Sequence, residues 1–142
     1  MARASPRAIL FACIGNAGRS AMAEGFARNL SGGKLEVRSG GSRPASAVMP
    51  EAVEAMRERG IDISGHRPKP FDEAWVRERC GLVVTMGCGD DACPAFLGKR
   101  MVDWALPDPK GRPIAEVRAI RDRIEVLVRG LLQQEGLRPP QG

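Results

Sequence analysis

The chemistry in this 142-residue chain begins at a thiol and a guanidinium six positions apart. Cys13 closes an apolar run and is followed by Ile14, Gly15, Asn16, Ala17, Gly18, Arg19 and Ser20. The residues between Cys13 and Arg19 can curl into a ring whose backbone N–H groups point inward, and Gly15, Ala17 and Gly18 are small enough to allow close approach. A helix starting near Arg19 adds its positive end, and the guanidinium can grip a tetrahedral oxyanion through two donors. The same positive groups favour Cys13 as a thiolate, and the Ser20 hydroxyl can donate to it. Asn16 tolerates left-handed backbone angles and can bond across the loop. The pattern predicts a nucleophile set in an anion cradle. The plainer alternative is a packed strand-end thiol followed by an ordinary strand-to-helix turn.

Two more cysteines, Cys88 and Cys93, lie in the glycine-containing stretch GCGDDACPAFLG. No apolar run approaches the roughly 20 residues of a membrane span, and Ala8 to Cys13 is too short for a signal-peptide core. The expectation is a cytoplasmic protein without a membrane partner. There, thiols stay reduced, so cysteines are read as core residues, metal ligands or redox catalysts before structural disulfides. A zinc site would have to draw on Cys80, Cys88, Cys93 and His66, without the second close pair usual in tetrahedral sites. Cys80, between a helix and an apolar strand, is read as core. His66, the only histidine, is read as a surface or helix-capping residue.

Lys and Arg number 22 against 17 Asp and Glu, for a net charge of +5. These charges are scattered, so they create a field that favours small anions and not a nucleic-acid-binding arm. Aromatic residues make up 4% of the chain and Tyr is absent, which leaves few stacking platforms for single strands. Nucleic acid is therefore not expected as a partner.

The elements that must position these loops follow from apolar spacing. AILFAC (8–13), LEVRSG (35–40), GLVVTM (81–86) and KRMVDW (99–104) read as strands. SAMAEGFARNLSGG reads as a helix from Met22, Phe26 and Leu30, with Gly32 able to supply a left-handed residue beyond its end. PEAVEAMRERG starts at Pro50, turns Val53 and Met56 inward and stops at Gly60. FDEAWVRER is a short helix, LPDPKGRP (106–113) a loop, and Ile114 to Leu131 a long helix before a frayed RPPQG tail. Met22, Met49, Met56, Met86, Trp75 and Trp104 are expected to pack against the sheet. The alternation implies one α/β domain over 1–142, with about 1–6 and 136–142 frayed. Its fold class is a small doubly wound parallel four-stranded sheet flanked by helices, with ligands beyond the carboxyl ends of the strands. The loops 13–20, 87–98 and 105–112 should meet there.

The segment CIGNAGRS resembles the signature loop of the low-molecular-weight protein tyrosine phosphatases and of the arsenate reductases built on the same fold. The resemblance extends through EVRSGGSRP, EAMRERGIDIS, VVTMGCGD, DPKGRP and VRAIRDRI. It implies that Cys13 attacks arsenate while Arg19 and the amides of residues 14–20 hold its oxygens, and that Asp108 protonates the departing one. Cys88 would then attack Cys13 and expel arsenite, and Cys93 would attack Cys88, leaving a disulfide for thioredoxin. MGCGDDACP and GKRMVDWALPDPKG resemble the actinobacterial type of reductase, some members of which use mycothiol and a mycoredoxin. The alternative is a phosphatase, for which one thiol suffices because water hydrolyses the phosphocysteine. A non-catalytic oxyanion or redox sensor is a third reading.

Weak phosphatase activity is expected in either enzyme, with phosphate and sulfate as competing anions. No tightly bound cofactor and no metal is expected, and the protein is expected to act as a monomer. Thioredoxin-coupled relatives carry a further cysteine where this chain has Gly18. They can also bind potassium beside the loop through residues resembling Asn16, Glu24 and Ser39. Lys69 stands at the position matching their remaining carboxylate, so its ammonium is expected to replace the ion.

Overall fold

In the computed structural model, residues 8–86 and 100–135 are described. The expectations for Cys88, Cys93, the loop 87–98 and both chain ends lie outside these residues. β1 (Ala8–Cys13) is buried at every position, as a strand covered on both faces must be. The pleat sends Ile9, Phe11 and Cys13 into the larger core, where they join Met22 and Phe26 together with Ile124, Val128 and Leu132. Ala8, Leu10 and Ala12 face the opposite way, onto Trp75, Val76 and Cys80. Alternation along one apolar strand thus faces Cys13 toward the larger core and supports the sheet from both sides.

β2 (Glu36–Gly41), β3 (Leu82–Thr85) and β4 (Arg100–Asp103) complete a sheet of order β2-β1-β3-β4. Every pairing is parallel. The chain runs outward from β1 to β2, then crosses back to β3 and β4. The reversal places a crevice at the carboxyl end of β1, where ligands of such sheets bind. This is the expected fold class, with strand ends within one residue of expectation.

α1 (Arg19–Leu30) leads directly out of the loop after β1. It ends at Ser31 and the left-handed Gly32 and Gly33 (φ 64° and 80°), since glycine meets no steric cost there. α2 (Pro50–Arg57) buries Ala52, Ala55 and Met56, and the expected inward residue Val53 is half-buried. α3 (Glu73–Arg79) is capped by Asp72, whose carboxylate accepts from Trp75 N at 3.0 Å. α4 (Ile114–Gln134) packs along α1 and α2. The buried Arg121 of α4 donates to Ala55 O at 2.8 Å and to Glu58 at 2.7 Å, stapling the carboxyl end of α2. Hydrogen bonds from Arg118, then Arg121, hold the Glu58 carboxyl below its usual range. Trp104 packs on Phe11 with ring centroids 5.9 Å apart.

Two glycines end β2 because backbone presses on them closely. A Cβ on Gly41 would sit 2.4 Å from Ile14 O, and one on Gly40 would sit 2.9 Å from the Phe71 ring and 3.1 Å from Pro70 O. Gly41→Ala should therefore lower stability by about 2–4 kcal/mol, the usual scale for overpacking a fixed backbone contact. Gly130, inside α4 with nothing near its Cβ position, is the opposite case. Gly130→Ala should raise stability by about 0.5–1 kcal/mol, and urea unfolding of both variants checks the contrast.

Candidate active site

The loop from Cys13 to Gly18 is built by pairing its carbonyl groups outward. Ser42 N donates to Cys13 O (3.3 Å), Arg43 N to Ile14 O (2.9 Å), Ala45 N to Gly15 O (2.9 Å) and Met49 N to Ala17 O (2.9 Å). His66 Nε2 lies 2.7 Å from Asn16 O, and Met22 N donates to Gly18 O at 2.9 Å. Every carbonyl of residues 13–18 thus has a partner. The N–H groups of Ile14, Gly15, Ala17, Gly18 and Arg19 bond to no described residue, and that of Asn16 points at Cys13 Sγ (3.3 Å). Ala17, Gly18 and Arg19 are buried and their N–H groups need an acceptor, while Ile14 and Gly15 are partly exposed, so the ring can accept an anion.

Asn16 orders the interior. It takes the left-handed conformation expected of it (φ 53°) and is fully buried. Its Oδ1 accepts from Lys69 N (3.0 Å) and its Nδ2 donates to Ser20 Oγ (2.8 Å). Ser20 Oγ also lies 2.9 Å from Cys13 Sγ, a hydrogen bond in which either atom can donate and in which the hydroxyl must be the donor toward a thiolate. A thiolate at Cys13 would receive two donors, Asn16 N–H and Ser20 O–H, as the loop's sequence suggested.

Arg19 is buried, yet no carboxylate of the described residues lies within hydrogen-bond distance of it. Its Nη1 donates to Met86 O (2.6 Å) and Leu106 O (3.1 Å), and its Nη2 stands 3.9 Å from Asp108 Oδ2. One nitrogen therefore anchors the guanidinium to the ends of β3 and of the 105–112 loop, leaving the Nε–Nη2 edge for an anion. Asp108 Oδ1 accepts from Lys110 N (2.9 Å), and Asp108 O accepts from Arg112 Nε (2.7 Å). The carboxyl is half exposed and faces the arginine, where it can serve as a proton donor. Asp103, at the end of β4, accepts from Thr85 Oγ1 at 2.6 Å. The loops 13–20 and 105–112 meet as expected.

Three expectations need correction or placement. His66 is not a surface or capping residue. Its side chain is 9% exposed and holds Asn16 O, a contact fifty positions away that no local pattern announces. Lys69 does not supply the supporting cation, since its Nζ donates to Arg67 O. Arg28 does so: its Nη2 lies 2.6 Å from Glu24 Oε2, while Ser39 Oγ donates to Glu24 Oε1. The Glu24 carboxylate thus already has a protein cation and Asn16 Oδ1 a backbone donor, with which a potassium ion would have to compete. Cys80 is buried and donates to Leu82 O at 3.0 Å, as a core residue.

Burial holds the His66 ring below its ordinary value of 6.5, Lys69 and Arg28 push the same way, and the bond to Asn16 and the charge of Glu24 oppose this. The unfolded chain then binds the proton first as pH falls, so stability declines below about pH 6.5. Urea unfolding between pH 7.5 and 5.5 should show that decline, and His66→Gln should flatten it. Replacing sodium by potassium at constant ionic strength should move the thermal midpoint by less than about 1 °C, because an ion that must compete with protein donors binds weakly and shifts little.

Comparison with known proteins agrees with this geometry. Arsenate reductase 2 of Staphylococcus haemolyticus is 38% identical over 124 residues, covering 86% of this chain and 93% of that protein. A solved thioredoxin-dependent arsenate reductase of Corynebacterium glutamicum superposes with a TM-score of 0.78 at 37% identity, covering 96% of this chain and 65% of that longer one. An arsenate reductase in the phosphate-binding state gives a TM-score of 0.80 at 35% identity, covering 90% and 98%. The sequence pattern of the family described as Low molecular weight phosphotyrosine protein phosphatase spans residues 8–138, and with its loop, strand order and acid-bearing turn this chain belongs to that family.

Proposed function

We propose that the protein is an arsenate reductase that works by nucleophilic attack of Cys13 followed by thiol–disulfide exchange. The observation that carries the reading is the loop of N–H groups without a partner among the described residues, next to a Cys13 Sγ that Asn16 N reaches at 3.3 Å and Ser20 Oγ at 2.9 Å. The ring and Arg19 hold the tetrahedral anion. Cys13 Sγ attacks arsenic, an As–O bond breaks, and Asp108 delivers the proton that lets the oxygen leave as water. Cys88 Sγ then attacks Cys13 Sγ. The S–S bond forms, the S–As bond breaks, and its electron pair stays on arsenic as arsenite. Cys93 attacks Cys88 and frees Cys13, so the two electrons come from the Cys88–Cys93 dithiol.

An external thiol system closes the cycle by reducing that disulfide, supplying two electrons from one dithiol or from two single thiols. Thioredoxin is the first candidate, named for the Corynebacterium glutamicum relative, and mycothiol with a mycoredoxin is the second. The chemistry demands reduced thiols, which supports a cytoplasmic location. No helix among the described residues is long and apolar enough to cross a membrane. Phosphate and sulfate share the anion's shape and charge and would compete for the cradle, and the same nucleophile and acid would support weak hydrolysis of phosphate esters.

The test is one turnover of fully reduced protein with excess arsenate and no other thiol. About one arsenite per chain, with Cys88 joined to Cys93 by peptide mass spectrometry, is expected for an internal relay. Cys88→Ser should abolish arsenite formation while sparing hydrolysis of an aryl phosphate. If mycothiol and mycoredoxin must be added before arsenite appears, the donor assignment changes. If no arsenite forms even then, while ester hydrolysis proceeds, the protein is a phosphatase and the proposal fails.

A further inference from the structure

We propose that Gly18 is a positioning residue for proton delivery: its bare Cα is the seat on which Pro109 closes, and that seat fixes where the Asp108 carboxyl stands over the cradle. This rests on the reading of Asp108 as the proton donor. A Cβ at position 18 would lie 2.8 Å from Pro109 Cγ and 3.0 Å from Met49 Sδ, with Pro109 Cδ at 3.7 Å. Here the space beyond Gly18 is filled by the residue that follows Asp108 on one side and by Met49 on the other. The two neighbours differ in compliance. The Met49 thioether is the end of a flexible side chain, whereas the Pro109 ring is fused to its backbone.

The loop that carries Pro109 behaves as one piece. Lys110 N on Asp108 Oδ1, Arg112 Nε on Asp108 O, and Arg112 N on Pro109 O at 3.1 Å tie it internally. Gly111 (φ 76°) closes its turn. It is docked on the cradle by Arg19 Nη1 at Leu106 O, by Arg19 Nη2 facing Asp108 Oδ2, and by Pro109 on Gly18. Of these, the Pro109 contact is the one that a Cβ at position 18 would press upon, at 2.8 Å, so a methyl group there shifts the ring and carries Asp108 with it. General acid catalysis is worth 10²–10⁴-fold and depends on placement of the proton, so displacement should cost rate more than binding.

The experiment measures the first-turnover rate of arsenite formation and the half-saturating arsenate concentration, with thioredoxin or mycothiol and mycoredoxin supplied as the wild type requires. It uses the full-length protein and Gly18→Ala, Pro109→Ala, Asp108→Asn and the doubles of Gly18→Ala with each. Gly18→Ala should slow the step about tenfold and leave half-saturation within about twofold. Combined with Pro109→Ala, it should act within about threefold of Pro109→Ala alone, because the ring it would displace is gone. Combined with Asp108→Asn, it should cost nothing further. A Gly18→Ala rate equal to wild type overturns the proposal, as does a loss that multiplies in full onto Asp108→Asn, which would place the effect in the cradle. Asp108→Asn at the wild-type rate would instead remove the acid role from Asp108, and the positioning role of Gly18 with it.

Discussion

The outward pairing of the carbonyl groups of residues 13–18 is the constraint on which the rest of the site depends. A peptide unit that turned inward would bring an oxygen toward Cys13 Sγ and strand a carbonyl, at a cost of about 1–3 kcal/mol for each lost partner. Those partners come from the exit of β2, from the approach to α2, from His66 and from the first turn of α1. That requirement accounts for features that look unrelated along the chain. β2 must lie beside β1 with matched carboxyl ends, its last two residues must lack side chains, and the single histidine must be buried.

Arg19 performs the complementary task between loops. Among the described residues its buried charge is met by two carbonyl dipoles and a carboxyl at 3.9 Å, so these hold the cation in place without a tight ion pair. A guanidinium in that condition gains more from an arriving anion than one already locked in a tight ion pair. The contrast within the molecule is Arg121, equally buried but bonded to Glu58, Asp122 and Ala55 O. One arginine is spent on joining helices and the other is kept for chemistry.

The features legible in the sequence are those encoded locally. The apolar runs follow from local spacing, and the positive-φ asparagine, the serine beside the thiol and the arginine at the helix start all lie within eight residues of Cys13. The carboxyl-end meeting of the loops followed from the alternation of strands and helices. His66, Gly40, Gly41 and the Arg28–Glu24 pair were missed or misassigned because their roles arise only when distant segments meet. Lys69 shows the difference clearly. The position lies beside the cradle, since its backbone N–H bonds Asn16, but its side chain extends to Arg67 O. Side-chain reach, and not residue type at a matched position, decides which cation serves Glu24. Gly18 has no partner of its own in the sequence, and its neighbours Pro109 and Met49 are identified only by the fold.

A cradle made chiefly of main-chain N–H groups reads charge and tetrahedral shape, and phosphate offers both as fully as arsenate does. Such a site has no means of choosing its anion at the moment of binding. Discrimination is deferred to the electrons: thiols reduce arsenic(V) to arsenic(III), whereas phosphorus(V) stays as it is, and a phosphate ion must simply leave again. On the proposed reading the enzyme works from within a large population of cradles filled by the wrong anion. Its rate at low arsenate is then set as much by how readily phosphate escapes as by how tightly arsenate is held.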